Sequence, residues 1–90
     1  VIKVRDMTGE EAVKRECALI CVKAVPENRP EISRIADTFR ARVVDTGQTH
    51  YILEVSGRQA KVDALIRTLE PMGIKKVARS GILALYREPE

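Results

Sequence analysis

Aromatic residues are almost missing from this chain. Its 90 residues include two tyrosines, one phenylalanine and no tryptophan. Single-stranded nucleic acid is held largely by stacking bases on aromatic rings, and three rings (Phe39, Tyr51, Tyr86) are too few for a platform. There is a single histidine, His50, and there are two cysteines, Cys17 and Cys21. A metal centre needs several such ligands converging, and these three make an incomplete set. Serine or cysteine catalysis would have to use His50 as its base, and no Gly-x-Ser-x-Gly elbow is present. Gly47, Gly57, Gly73 and Gly81 stand singly, so no glycine-rich phosphate loop forms. No apolar run approaches the roughly 18 residues of a membrane span, and no signal peptide is visible. These absences point to a cytoplasmic, non-catalytic domain with no cofactor of its own and no nucleic-acid or membrane partner.

The charge balance is mild. Sixteen Lys and Arg against thirteen Asp and Glu leave a net charge of +3. The positive points are scattered, the densest being Lys75-Lys76 with Arg79, and Arg40 with Arg42. A solvated mixed-charge surface accounts for them better than a nucleic-acid footprint. Cys17 and Cys21 lie four apart on an expected strand, which separates their Cα atoms by about 13 Å. A disulfide needs less than about 7 Å, so both are expected as free thiols. Asp45 and Glu54 can approach across a hairpin, where salt bridges to Arg40 or Arg42 explain them better than paired-carboxylate catalysis.

Hydrophobic content is ample at 44%. Its rhythm is strand, helix, strand, strand, helix, strand. The first strand, Cys17 to Ala24, is nearly continuous in apolar residues, as for a central strand covered on both faces. Ile32, Ile35, Ala36 and Phe39 form one stripe of a helix from Arg29 to Phe39, with Asn28 as its cap and Glu31 reaching back. A second strand, Arg40 to Thr46, turns at Asp45-Thr46-Gly47-Gln48, where Gly47 is expected at positive φ. The returning strand, Thr49 to Val55, puts Tyr51, Leu53 and Val55 on one face. Ser56 with Gln59 reads as the cap of a second helix whose stripe is Val62, Leu65, Ile66 and Leu69, ended by Pro71 and Gly73. The last strand begins near Ile74, is interrupted at Ser80-Gly81, where a glycine inside a strand suggests a bulge or a close backbone approach, and resumes through Tyr86.

This order gives an α+β fold, the ferredoxin-like βαββαβ sandwich: a four-stranded antiparallel sheet with two helices on one face. Residues 1 to 15 read as linker, with a helical turn from Gly9 to Lys14. The run Val1-Ile2-Lys3-Val4 reads as the tail of something upstream. The open face of such a sheet usually needs a partner, and the fold alone does not say which.

Longer stretches carry a resemblance. Leu53-Glu54-Val55-Ser56-Gly57, Lys61-Val62-Asp63-Ala64-Leu65-Ile66, Gly73-Ile74 and Ala78-Arg79-Ser80-Gly81 with Ala84-Leu85 resemble the C-terminal domain of the small, regulatory subunit of acetolactate synthase (acetohydroxyacid synthase). Val1 to Asp6, Arg15-Glu16 before Leu19 to Val22, Arg29, Phe39-Arg40-Ala41 and Val44-Asp45 fit the same family, so the resemblance spans essentially the whole chain. It implies an ACT-like domain over residues 16–90, with residues 1–15 as the tail of a preceding ACT domain. It implies no catalysis in this chain. The partner would be the catalytic large subunit, which uses thiamine diphosphate, Mg²⁺ and FAD in branched-chain amino-acid biosynthesis. The small subunit would be a homo-oligomer that raises activity and confers valine feedback. The family's amino-acid site belongs chiefly to the preceding ACT domain, so no valine-binding residue is carried over. Arg79, Ser80 and Gly81, at the strand interruption, are the candidate contact segment, with Arg40, Arg42 and Lys75-Lys76 behind them. A stand-alone amino-acid sensor of the same fold is the alternative.

Overall fold

Alternation sets the architecture. Along the first strand Ala18, Ile20 and Val22 are buried, while Leu19 between them is 43% exposed. Only one face of this strand is covered, although its apolar run is almost unbroken. The computed structural model describes residues 12–88. Its elements are β1 (Ala12–Lys23), α1 (Arg29–Thr38), β2 (Arg42–Thr46), β3 (His50–Gly57), α2 (Gln59–Leu69), a 3-10 turn (Glu70–Met72) and β4 (Ile74–Tyr86). The four strands form one antiparallel sheet in the order β2-β3-β1-β4. This is the expected βαββαβ sandwich.

Both helices lie on the face that carries Ala18, Ile20, Val22, Leu53 and Val55. Ile32, Ile35 and Ala36 of α1 and Val62, Leu65 and Leu69 of α2 close a single core against these residues. Tyr51, Phe39 and Ile66 pack at its margin. The helical stripes and the inward residues of β3 therefore fall where their periodicity puts them.

The caps do not follow the sequence motif. The Asn28 side chain makes no helix cap. Its Oδ1 accepts from the Val25 N–H at 2.8 Å, and its Nδ2 donates to the Lys23 carbonyl at 3.2 Å, which fixes the turn out of β1. Glu31 is drawn to Arg34 instead, whose Nε donates to it at 3.1 Å. That hydrogen bond holds the Glu31 carboxyl below the usual carboxylate range. Ser56 cannot cap α2 because β3 continues through Gly57, paired with Glu16, and keeps Ser56 in the ladder opposite Cys17. Arg58 occupies the cap position with no side-chain bond. A turn contact at Asn28 and ladder pairing at Ser56 have overridden the local capping signals.

Glycine conformation also departs from expectation. Among the described residues the glycines at positive φ are Gly73 and Gly81, and Gly47 is not one of them. The hairpin is fastened from outside. Arg29 Nη2 donates to the carbonyls of Gly47 and Gln48, both at 2.8 Å, and its guanidinium lies 5.0 Å from the centre of the Tyr51 ring. One arginine thus ties the start of α1 to the β2–β3 turn. Asp45 pairs across the same turn with His50, Nε2 to Oδ2 at 2.8 Å, and not with Arg40 or Arg42.

Residues 12–15, expected as linker and partly as a helical turn, are strand. They belong to β1 and pair with β4 alone, since β3 begins its pairing at Glu16. The rest of that expected turn, 9–11, lies outside the described residues. A two-stranded arm, 12–15 with 83–86, therefore runs on past the part of the sheet that β3 joins. The missed signal is the apolar character of Ala12 and Val13 against Ile82, Leu83 and Leu85, which has no glycine or proline to break it.

Candidate interaction surface

The uncovered face of the sheet follows from register. Residues directly opposite in an antiparallel pair share a face. Cys17, Leu19 and Cys21 of β1 therefore stand with Ser56, Glu54 and Ile52 of β3, and with Ala78 and Lys76 of β4. Further along the arm, Val13 stands with Leu85 and Arg15 with Leu83. Cys17 and Cys21 are half-buried free thiols on this face. Among the described residues no group of three or more His, Cys, Asp or Glu is arranged to hold a metal ion.

The interruption expected at Ser80-Gly81 is a bulge inside one continuous strand. Glu16 faces Ile82 and Ala18 faces Arg79, so three steps on β4 match two on β1. Gly81 takes φ +80°, a conformation that side-chain-bearing residues avoid. The Ser80 hydroxyl accepts from the Cys17 N–H at 3.0 Å and donates to the Gly81 carbonyl at 2.8 Å. The hydroxyl replaces the ladder bond that the bulge removes.

Arg79 is held inside the domain. The Glu16 side chain beneath it is only 4% exposed. Arg79 Nε donates to Glu16 Oε1 at 3.1 Å, a second bond runs from Nη2 to the same oxygen, and Nη1 lies 2.9 Å from Asp63 Oδ1 on α2. The bonds to Glu16 and then to Asp63 push the Arg79 guanidinium still further above its ordinary range. Arg79 therefore clamps β4 to β1 and α2, and 31% of its side chain remains exposed. Sequence reading missed Glu16 because its partner is 63 residues away.

Arg40 and Arg42 are far from this segment. They stand at the start of β2, Arg42 as its first residue, at the opposite edge of the sheet from β4, about 14 Å away across three strand spacings. Arg40 has φ 55°, the described non-glycine residue at positive φ. Its N–H donates to the Asp37 carbonyl at 3.1 Å, and the Ala41 N–H donates to the Ala36 carbonyl at 2.8 Å. That pair of bonds is the Schellman closure of α1, with Arg40 in the position glycine prefers. Arg40→Gly is accordingly expected to stabilise the domain by about 1 kcal/mol, read as a higher urea midpoint with unchanged slope. The structure thus separates the candidates: Arg79, Ser80 and Gly81 with Lys75 and Lys76 on one edge, Arg40 and Arg42 on the other.

A cleft of about 470 Å³ opens between the arm and the start of α2, with Lys14, Arg15, Arg58 and Arg87 among its lining residues. Exposed apolar side chains collect on the arm and just before it: Ile82 at 49%, Leu83 at 65% and Leu85 at 76%.

Comparison with known proteins fits this geometry. A family model described as the small subunit of acetolactate synthase matches residues 15–88. The acetolactate synthase small subunit of Bacillus subtilis is 45% identical over 87 residues, which cover 97% of this chain and 51% of that protein. Acetolactate synthase small subunit 2, chloroplastic, of Arabidopsis thaliana is 47% identical over 88 residues, covering 98% of this chain and 18% of that protein. The crystal structure of the small subunit from Thermotoga maritima superposes with a TM-score of 0.86 at 34% identity, over 94% of this chain and 52% of that one. The chain spans about half the length of the bacterial relative it matches.

Proposed function

Since the chain belongs to the family of the acetolactate synthase small subunit, we propose that it is a non-catalytic regulatory domain that docks on the catalytic large subunit of that enzyme. The observation that carries this reading is the family match over residues 15–88, a span that holds both helices and nearly the whole sheet. Among the described residues both helices lie on one face of the sheet and none crosses the other, as in a module that works by touching other protein. Among the described residues no helix is long and apolar enough to cross a membrane. We place it in the cytoplasm.

In this reading the large subunit makes acetolactate or acetohydroxybutyrate for valine, leucine and isoleucine synthesis, with thiamine diphosphate, Mg²⁺ and FAD bound there. The small subunit self-associates, raises that activity and transmits valine feedback. Valine binds in the half of the protein that precedes this domain. Its effect crosses as a bias between two arrangements of the interfaces, so the catalytic subunit senses valine without touching it. The contact segment is Ser80-Gly81 with Lys75 and Lys76 beside it. Arg79 contributes by holding that strand in place.

The test mixes this chain with an acetolactate synthase catalytic subunit. Co-elution and a rise in specific activity are expected, with Lys75→Glu and Lys76→Glu together weakening the complex at least about tenfold, or 1.4 kcal/mol. Valine sensitivity is expected only when the preceding half is supplied. No co-elution and no change in activity at saturating chain would overturn the reading. Tight valine binding by this chain alone in equilibrium dialysis would replace it with that of an independent sensor.

A further inference from the structure

β1 loses its neighbour on one side before it ends. β3 pairs with it only from Glu16, opposite Gly57, and the chain then turns at Arg58 into α2. Residues 12–15 keep β4 on one side, and among the described residues no strand lies along the other. The Cys17 N–H points toward β4, where it meets the Ser80 hydroxyl. Backbone groups alternate sides along a strand, so those of Ala12 and Lys14 face the side that β3 has left. The vacated corner is the cleft of about 470 Å³, and Lys14, Arg15, Arg58 and Arg87 stand around it. No acid is among the described residues that line it. Glu16, the next inward residue of β1, and Asp63 on α2 are both engaged by Arg79. We infer that this cleft takes an extended acidic segment of the catalytic large subunit, which lies beside residues 12–15 as a short added strand and sets its carboxylates against the four cations.

The chemistry of the segment follows from the walls. Like charges around a concave surface add their fields there and draw in the opposite sign. Three of the four cations are arginines, whose planar fork matches a carboxylate. An extended backbone suits the strand edge, because only a strand offers it N–H and C=O groups at the right repeat. The edge is four residues, or about 13 Å, long. Lys14 lies on the helix-covered face of β1, and Arg15 stands on the open face with Leu83. Successive side chains of an added strand also point to opposite faces, so consecutive acids fit better than alternating ones. A nucleic-acid strand is disfavoured, since no aromatic ring is among the described lining residues to stack a base. The cleft stands at the far end of β4 from Lys75 and Lys76, which gives the docking surface a second, separate foothold.

The inference rests on the docking reading above only for the identity of the partner, and the test has two arms. In the first, a fluorescent polyglutamate peptide is titrated into the whole chain at low salt and followed by polarisation. Binding is expected, and Arg58→Glu with Arg87→Glu should weaken it by at least about tenfold. Lys75→Glu with Lys76→Glu changes the net charge equally and should leave it within about twofold. All these side chains are exposed or at the margin of the core, so melting should not move. Should the first pair disturb folding, Lys14→Glu with Arg15→Glu reads the same cleft. Bound peptide should slow hydrogen exchange at Ala12 and Lys14. No binding, equal weakening by both charge-reversed pairs, or binding without that protection would each overturn the inference. So would inorganic tripolyphosphate or a single-stranded oligonucleotide displacing the peptide at lower concentration than the unlabelled peptide does. In the second arm the Arg58/Arg87 variant is mixed with the catalytic subunit, and at least about tenfold weaker docking is expected. Normal docking of that variant would remove the large subunit as the source of the segment and leave the docking reading standing. Failure of the unaltered chain to dock would remove the reading, while the peptide arm still decides the chemistry of the cleft.

Discussion

Replacing Arg79 with methionine lowers the melting temperature by on the order of 10 °C. The Glu16 carboxylate lies under β4 with 4% of its side chain exposed, and Arg79 supplies the cation that faces it. Removing that cation leaves a buried charge without its partner, which costs far more than loss of a surface pair. Asp63 suffers less, because 46% of its side chain still reaches water. The matching control is Arg79→Met combined with Glu16→Leu, which removes the stranded charge and should recover most of the loss. Thermal unfolding followed by circular dichroism reads both. If the single variant melts with the wild type, the clamp is not holding the sheet. The result bears on function, since Arg79 is expected from the sequence as part of the contact segment. Any loss of regulation in an Arg79 variant has to be weighed against this loss of stability, whereas Lys75 and Lys76 can be changed without it.

Leu65→Ala costs about 2–5 kcal/mol. Leu65 is fully buried at the middle of the α2 stripe, between Val62 and Leu69, and it closes the core against the sheet. A domain of this size is stable by only about 5–10 kcal/mol, so the variant should be partly unfolded at moderate urea where the wild type is not. Leu83→Ala removes the same atoms from the open face of the arm and should move stability by no more than about 0.5 kcal/mol at a concentration low enough to keep the chain monomeric. Equilibrium urea unfolding measures the pair. Similar costs at the two leucines would mean that the open face is covered in the single chain.

The contrast between these leucines is the contrast between what periodicity shows and what it hides. Ile32, Ile35, Ala36, Val62, Leu65 and Leu69 repeat at helical spacing, and each ends in the core. Tyr51, Leu53 and Val55 alternate with His50, Ile52, Glu54 and Ser56, all polar but Ile52, and their shared face is the inward one. These patterns are local, so they survive in the sequence. On β1 the pattern is silent. Ala18, Leu19, Ile20, Cys21 and Val22 are all apolar, and nothing in the run tells which of them water reaches. An unbroken run suggests cover on both faces; the helices supply it on one. The capping motifs at Asn28 and Ser56 mislead for a related reason. Each residue has a turn or ladder partner that outcompetes the helix end.

The chain's own letters determined the element order, the two helical stripes, the inward face of β3, the place of the bulge and the poverty of reactive groups. All of these rest on neighbours within a few residues, where geometry repeats with a fixed period. Folding decided which positions pair across the sheet: Glu16 with Arg79, Arg29 with the far turn, and the arm of 12–15 with 83–86. It also put Arg40 and Arg42 on the edge opposite Arg79. Those relations join residues many positions apart, and no period carries them. They exist only once hydrogen-bonded register brings distant strands to about 5 Å from one another.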